Sequence, residues 1–268
     1  DAARFVLSAG LHAGADLSTG LVARKGDPHE AAAEYEELFA RGVSNARMVS
    51  DYLVALSRAG ASAKLAAVVD PGLLFRRAVL PGGDSVGPLL ARVSEALLQA
   101  GSRQFQKANR SIRNMERVLK THAIADPAVA ELHQAVRALI ASYIADVSAS
   151  AHIIAPWLRA EFQLHSWGVI CEDADVGFSA PHIHTGCWVV AVAYVAGQDP
   201  AIAGGAMRIG PAAAGDAGCA GWPDTTVAPT PGTVVIMPAF YTHWTEPLRR
   251  PWLRISVAFN ADPPFIAP

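Results

Sequence analysis

Apolar positions recur at steps of three and four along the first half of the chain and at steps of two along its last third, which predicts helices first and strands afterwards. Met48, Val49, Tyr52, Leu53 and Leu56 share a helical face, and Glu30 to Ala40 continues an Ala-rich helical pattern. Asp27 is placed as its N-cap, with Pro28 at the first helical position and Glu30 set for a capping box. A helix is predicted from Val86 to Ala100, stopped by Gly101. Another runs from Pro127 to Ala145 behind an Asp126 cap, with the stripe Val129, Leu132, Val136, Leu139, Ile140, Tyr143 and Ile144 of a helix laid along a sheet. Between them, Ile112, Met115, Val118 and Leu119 predict a shorter helix. Leu73 to Leu80 reads as a strand closed by the Pro81-Gly82-Gly83 turn. Five further strands follow: Phe162 to Ile170, Cys187 to Val195, Ala206 to Ile209, Thr233 to Met237 and Trp252 to Asn260. Strands grouped after helices argue for an α+β barrel or sandwich backed by helices, not an alternating parallel sheet.

The first ~70 residues carry an internal similarity. Arg24-Lys25-Gly26 and Arg58-Ala59-Gly60 stand 34 residues apart, each before an Ala-rich helical stretch. The period, the glycine at the helix turn and the Ala32, Tyr35, Leu38 pattern resemble a pair of tetratricopeptide repeats, although the large aromatic positions of that consensus are missing. An ordinary helical hairpin packed on the main domain is the alternative. The change of character at Asp70-Pro71-Gly72 sets a boundary there, with a small all-helical, repeat-like segment over 1–70 and the main domain over 71–268.

Composition narrows the class. A chain of 268 residues, 51 % hydrophobic, can bury a sizeable core. A formal net charge of -2 without a long run of one sign argues against nucleic-acid and anionic-membrane partners and favours a peptide, protein or small molecule. Nothing about oligomeric state follows. No apolar stretch reaches membrane-spanning length, and the start lacks a secretory pattern. Cys171, Cys187 and Cys219 are odd in number and not spaced for a disulfide framework or a zinc knuckle, so a cytoplasmic setting is expected.

The candidate chemistry lies in the strand region. His182 and His184, two apart in Pro181-His182-Ile183-His184-Thr185-Gly186, can face one cavity on an extended chain, and His243 follows in Phe240-Tyr241-Thr242-His243-Trp244. Imidazole suits iron, zinc, copper and nickel. In the last strand Leu253, Ile255, Val257 and Phe259 alternate with Arg254, Ser256, Ala258 and Asn260, so Arg254 and Ser256 share the face opposite the apolar one. An arginine pointed into a barrel calls for a carboxylate ligand, which its planar fork binds bidentately.

Taken together, His-x-His, a strand ending at Tyr194, Gly204-Gly205, Pro231-Gly232, Val234-Val235-Ile236-Met237-Pro238, His243 and Arg254-Ile255-Ser256-Val257-Ala258-Phe259-Asn260 resemble the 2-oxoglutarate- and Fe(II)-dependent oxygenase superfamily. Within it the match is to oxygenases with a His-x-His first motif and an Arg-x-Ser-x-x-Phe-Asn last strand. The resemblance runs weakly from Leu73 and strongly after Trp167. It implies a double-stranded β-helix, or jelly roll, with Fe(II), 2-oxoglutarate and O2 as cofactor and co-substrates. It makes His243 an iron ligand and Arg254 the group holding the distal carboxylate of 2-oxoglutarate, with Ser256 and, more weakly, Tyr194 assisting. The usual carboxylate of the first motif is missing, and two registers follow. In one, His182 takes the histidine place and His184 the carboxylate place. In the other, His184 is the ligand, Gly186 stands at the carboxylate position as in the His-Thr-Gly motif of aspartyl/asparaginyl β-hydroxylases, and His182 supports it. The second matches the motif as it stands.

The activity so implied is dioxygenase chemistry, by default hydroxylation of a peptide, protein or amino-acid-like substrate, coupled to decarboxylation of 2-oxoglutarate to succinate. Repeat-like helices before the barrel suggest a substrate segment presented on a concave surface. Two other readings stand beside it: a cupin-like three-histidine metalloenzyme without 2-oxoglutarate, and a helical-repeat interaction module whose barrel has lost catalysis.

Overall fold

The computed structural model describes residues 26–109, 111–172, 177–197, 204–210, 222 and 224–263; Arg24, Lys25 and Cys219 lie outside them. Three helices open this part of the chain, α1 (Pro28–Ala40), α2 (Ala46–Arg58) and α3 (Ser62–Val69). Asp27 caps α1 through the amide of His29, and Asn45 caps α2 through that of Met48. Their amphipathic faces meet around Tyr35, Phe39, Tyr52 and Leu53, all buried.

The segment read as one strand from Leu73 is divided. Asp70 accepts a hydrogen bond from the Leu73 amide and Pro71 sits at N1, so a helical turn, α4 (Pro71–Leu74), forms first and the strand β1 (Arg76–Val79) starts after it. Next come α5 (Val86–Leu98), a hairpin of β2 (Arg103–Asn109) and β3 (Ile112–Leu119), and α6 (Pro127–Ser148), capped by Asp126. The hairpin corrects the helix expected at Ile112, Met115, Val118 and Leu119. Asn114 adopts a left-handed φ of 48°, and Ile112 and Met115 bury in one cluster with Cys171 and Leu248. Val118 lies on the opposite face, against Gly168 and Leu97. A twisted strand thus produced a spacing of three that imitates a helical stripe.

The remaining strands are β4 (Gln163–Cys171), β5 (Phe178–Ser179), β6 (Val189–Ala196), β7 (Met207–Ile209), β8 (Thr225–Val227), β9 (Thr233–Pro238), β10 (His243–Thr245) and β11 (Arg254–Asp262). The larger sheet has the order β1-β9-β6-β11-β4-β3-β2, with β5 also paired to β3, and the smaller one β10-β7-β8. Every pairing is antiparallel. This curled pair of sheets with helices on one face agrees with the expected α+β jelly roll. Two central strands, Val-Val-Ala-Val-Ala-Tyr-Val-Ala and Thr-Val-Val-Ile-Met-Pro, are apolar on both sides because both are covered.

Alternation along β11 sorts the two faces. Ile255, Val257 and Phe259 are buried in the core that includes Val136, Ile140 and Leu97 of the helices. The other face carries Arg254, Ser256 and Asn260 inward. That core also contains the buried residues of α1–α3. Tyr241, on the turn before β10, donates to the carbonyl of Val69 at the end of α3, and Tyr143 of α6 donates to that of Leu74 at 2.9 Å. No helix among the described residues is long and apolar enough to cross a membrane.

One histidine belongs to this scaffold. His133 of α6 meets the Phe259 ring at 5.0 Å and Thr121 Oγ1 at 3.1 Å, and burial lowers its pKa from 6.5 to about 4. Between these values the unfolded chain takes up a proton that the folded one refuses, so His133 lowers stability as pH falls from about 6.5 to about 4 and is neutral above. Urea midpoints across this range should therefore drop less steeply in His133→Gln than in the wild type; parallel curves would remove His133 from the account.

Candidate metal and co-substrate site

The three sequence-predicted histidines come together. His182 and His243 form an antiparallel bridge, each amide donating to the other's carbonyl at 3.1 and 3.0 Å, and the His184 amide donates to the carbonyl of Ala239 at 2.9 Å. Ring centroids lie 4.3 Å apart for His182 and His243, 5.1 Å for His184 and His243, and 5.2 Å for His182 and His184. One nitrogen from each ring lies within 4.8 Å of the other two.

The second nitrogen of each ring decides what the first can do. His182 Nδ1 faces the Ala180 carbonyl at 2.8 Å, His243 Nδ1 the Tyr241 carbonyl at 2.9 Å, and His184 Nδ1 the Asn260 Oδ1 at 2.6 Å. An oxygen acceptor at Nδ1 fixes the proton there and leaves Nε2 a lone pair, the arrangement of metal-bound imidazoles. His182 and His184 Nε2 stand 3.3 Å apart. Two nitrogens each ~2.1 Å from one ion stand ~3.0 Å apart at a right angle and ~3.4 Å at the tetrahedral angle, so the pair fits a single metal ion. Burial, with the neighbouring imidazoles, holds His243 well below the usual histidine pKa, and burial lowers His182. Both stay neutral and able to ligate.

Asn260 is the residue that sequence reading placed on the correct face without giving it a role. The alternation that aimed Arg254 and Ser256 inward aims Asn260 inward as well, and it orients the His184 ring. Asn260→Ala should weaken metal binding about 10- to 100-fold, the usual worth of such a partner, measured by competition with a chromogenic chelator. An unchanged affinity would make its hydrogen bond incidental.

At the other end of the same face Arg254 is 3 % exposed. Its guanidinium donates to the carbonyls of Gly205 at 2.9 Å and Glu246 at 3.3 Å, bridging the larger sheet to the smaller, and lies 3.3 Å from Met115 Sδ. Among the described residues no carboxylate stands within ion-pair distance of it; Glu246 gives its own carboxylate to Arg208. A buried cation facing only neutral acceptors leaves unmet demand for an anion. Tyr194 pairs with Ser256 across β6 and β11. Its hydroxyl is fully buried and has no hydrogen-bond partner among the described residues, and burial, eased by the charge of Arg254, pushes its pKa up to about 12. Arg254, Tyr194 and Ser256 therefore offer a carboxylate a guanidinium and two hydroxyls, and on the inner face of β11 Ser256 and Ala258 stand between Arg254 and Asn260.

Helices stand behind these loops. Trp188 stacks on Trp157 at 5.1 Å, and Trp157 meets Phe39 of α1 at 5.5 Å. Trp167, on the inner face, stacks on His184 at 5.6 Å.

Residues 165–260, which contain the three histidines, Asn260, Arg254, Ser256 and Tyr194, match the sequence profile of the family described as "Putative 2OG-Fe(II) oxygenase". No curated protein sequence matches the chain. Among solved structures, a prolyl-4-hydroxylase from Pseudomonas putida is 19 % identical, covering 74 % of this chain and 97 % of that one, at a TM-score of 0.50. A prolyl hydroxylase from Trichoplax adhaerens, in complex with a hypoxia inducible factor peptide fragment, is 12 % identical over 76 % and 92 %, at 0.52. The α-ketoglutarate-dependent carbocyclase SnoK from nogalamycin biosynthesis is 14 % identical over 73 % and 82 %, also at 0.52. In sequence over its C-terminal region and in fold over about three quarters of its length, the chain is thus similar to the 2-oxoglutarate- and Fe(II)-dependent oxygenases, and Fe(II), 2-oxoglutarate and O2 are the cofactor set that this likeness assigns to it.

Proposed function

We propose that the protein is a 2-oxoglutarate- and Fe(II)-dependent dioxygenase that hydroxylates a peptide, protein or amino-acid-like substrate. The observation that carries this reading is the pairing of three converging Nε2 lone pairs with a buried arginine that meets no acid among the described residues. His184 and His243 would hold the iron, and the 3.3 Å separation of His182 from His184 supports His182 as the third ligand in place of the usual carboxylate. Bound iron supplies the activation of O2, with 2-oxoglutarate as the source of two electrons. The chain's own groups do the rest. Arg254, Tyr194 and Ser256 hold the distal carboxylate; Asn260, Ala180 and Tyr241 keep the imidazoles in the ligating tautomer. Hydroxylation is the default outcome, and a carbocyclase among the structural neighbours marks how far outcomes on this fold range.

The division into 1–70 and 71–268 belongs to this proposal, as a helical buttress followed by the oxygenase barrel. Gly26 and Gly60, 34 residues apart, have φ of 68° and 67°, which supports the repeat reading. The contact of Tyr241 with Val69 and the Phe39–Trp157–Trp188 chain favour support of the metal loops over a separate recruiting array.

Adding 2-oxoglutarate to the Fe(II)-loaded protein without O2 should give the weak visible charge-transfer band of a chelated keto acid, absent in His184→Ala and His243→Ala. The lack of a carboxylate in the triad favours a second reading, a cupin-like three-histidine metal site. Iron binding without any band would move the assignment there.

A further inference from the structure

We propose that Met115 closes the Arg254 end of the co-substrate site and sets the chain length of the 2-oxo diacid held there, accepting the five-carbon acid and disfavouring the six-carbon one. The inference rests on the oxygenase reading and adds to it a residue that selects the co-substrate.

The donors left on Arg254 are the first argument. Nη1 carries two hydrogens and meets two main-chain carbonyls, those of Gly205 at 2.9 Å and Glu246 at 3.3 Å. An arriving carboxylate is therefore met at the edge of the guanidinium that carries Nη2. Met115 Sδ lies 3.3 Å from that nitrogen, and Thr245 Oγ1, which accepts from the Ser179 amide at 2.8 Å, lies 3.5 Å from it. A thioether is a weak acceptor, so it yields the donor to a carboxylate oxygen, which makes the stronger, charge-assisted bond. The carbon atoms of Met115 stay beside the arginine and limit how far that carboxylate advances.

The wall around that edge is the second argument. Met115 is 1 % exposed and packs with Ile112, Cys171 and Leu248 in a cluster separate from the main core. Glu116 pairs with Ile170, whose side chain belongs to the helix-backed core, so Met115, one residue earlier on β3, points to the inner side. The other parts of this wall have little freedom. A Cβ on Gly205 would stand 2.9 Å from Arg254 Nη1 and 2.8 Å from Leu248 Cδ2, and Gly204 is bridged to Leu248 through the backbone. On the far side of Met115, a Cβ on Gly177 would stand 3.1 Å from its Cγ. With backbone this close, the room beside Nη2 depends on the length of the side chain at position 115. One added methylene in a closed pocket is commonly worth about 10- to 200-fold in discrimination.

The test titrates 2-oxoglutarate and 2-oxoadipate, one methylene longer, into the anaerobic Fe(II)-loaded full chain and reads both dissociation constants from the visible band of the chelated keto acid. The wild type is expected to bind 2-oxoglutarate about 10- to 200-fold more tightly than 2-oxoadipate. Met115→Ala should shrink that ratio about tenfold or more, chiefly by improving the binding of 2-oxoadipate. Met115→Val, a residue suited to a strand, should shrink it part of the way, and it carries the test if the alanine variant does not fold. Met115→Leu, of similar volume and without the sulfur, should keep the ratio near that of the wild type. A band that persists with 2-oxoglutarate shows in each variant that the fold and the metal site are intact. A wild type indifferent to chain length, a ratio unchanged in the folded shortened variants, or a ratio lost in Met115→Leu overturns the inference and leaves the oxygenase reading standing. A wild type that shows no band at all overturns that reading, and this inference with it.

Discussion

Replacing Arg254 by alanine is expected to raise the dissociation constant for 2-oxoglutarate from roughly 30-fold to several thousand-fold while Fe(II) binding changes little. The range follows from the ~2–5 kcal/mol typical of truncating one partner of a buried, hydrogen-bonded charge pair, at about 1.4 kcal/mol for each factor of ten. The effect should be large because Arg254 is 3 % exposed and its acceptors among the described residues are the Gly205 and Glu246 carbonyls, Met115 Sδ and, at 3.5 Å, Thr245 Oγ1. None of these neutralises the guanidinium, so a bound carboxylate makes its principal charge-assisted bonds there. Arg254→Lys restores the charge without the fork and should recover only part of the loss. Titration of the visible band with 2-oxoglutarate measures all three proteins. If Arg254→Ala bound the keto acid as the wild type does, the assignment of Arg254 as the group that holds its distal carboxylate would fail.

Phe259→Ala should cost about 3–5 kcal/mol of folding stability, a large part of the ~5–15 kcal/mol that a domain commonly has. Phe259 is fully buried on the outer face of β11, edge-on to His133, and β11 lies between β4 and β6 at the middle of the larger sheet. Its removal leaves a cavity between sheet and α6 that rigid neighbours on both sides cannot fill. Urea denaturation, with the slope checked for an unchanged denatured state, would show it. A loss below about 1 kcal/mol would mean that α6 can move in to close the gap. Because Asn260 is the next residue and faces the opposite way, the same variant should also loosen the metal site indirectly, through β11.

Much of the architecture was legible from periodicity. The α6 stripe, the α1 and α6 caps at Asp27 and Asp126, and the alternation of β11 each rest on contacts between near neighbours in sequence, which local pattern records. The β2–β3 hairpin was not legible, because the left-handed turn at Asn114 puts Ile112 and Met115 on one side of a strand and makes two-fold alternation look like a helical spacing. The helical turn at Pro71–Leu74 was hidden inside an apolar run that local pattern cannot divide between helix and strand.

At the site, residue types and spacing determined which side chains were candidates: His-x-His and a distant histidine for a metal, and an arginine two residues from a serine on a polar strand face. Whether those candidates meet was settled only in three dimensions. The approach of His182 to His243, 61 residues apart in the chain, comes from a backbone bridge between the loop that carries His182 and the first residue of β10. The ligating tautomers come from Ala180, Tyr241 and Asn260, two of which act through main-chain carbonyls and leave no mark in residue identity. The separation of Arg254 from every acid among the described residues, and the stacking of Arg117 on Trp167 and of Trp167 on His184, depend on which strands lie side by side. A sequence specifies its own local preferences directly, but the sheet order β6-β11-β4-β3 that brings Tyr194, Ser256, Trp167 and Arg117 onto one wall is selected by burial summed over the whole core.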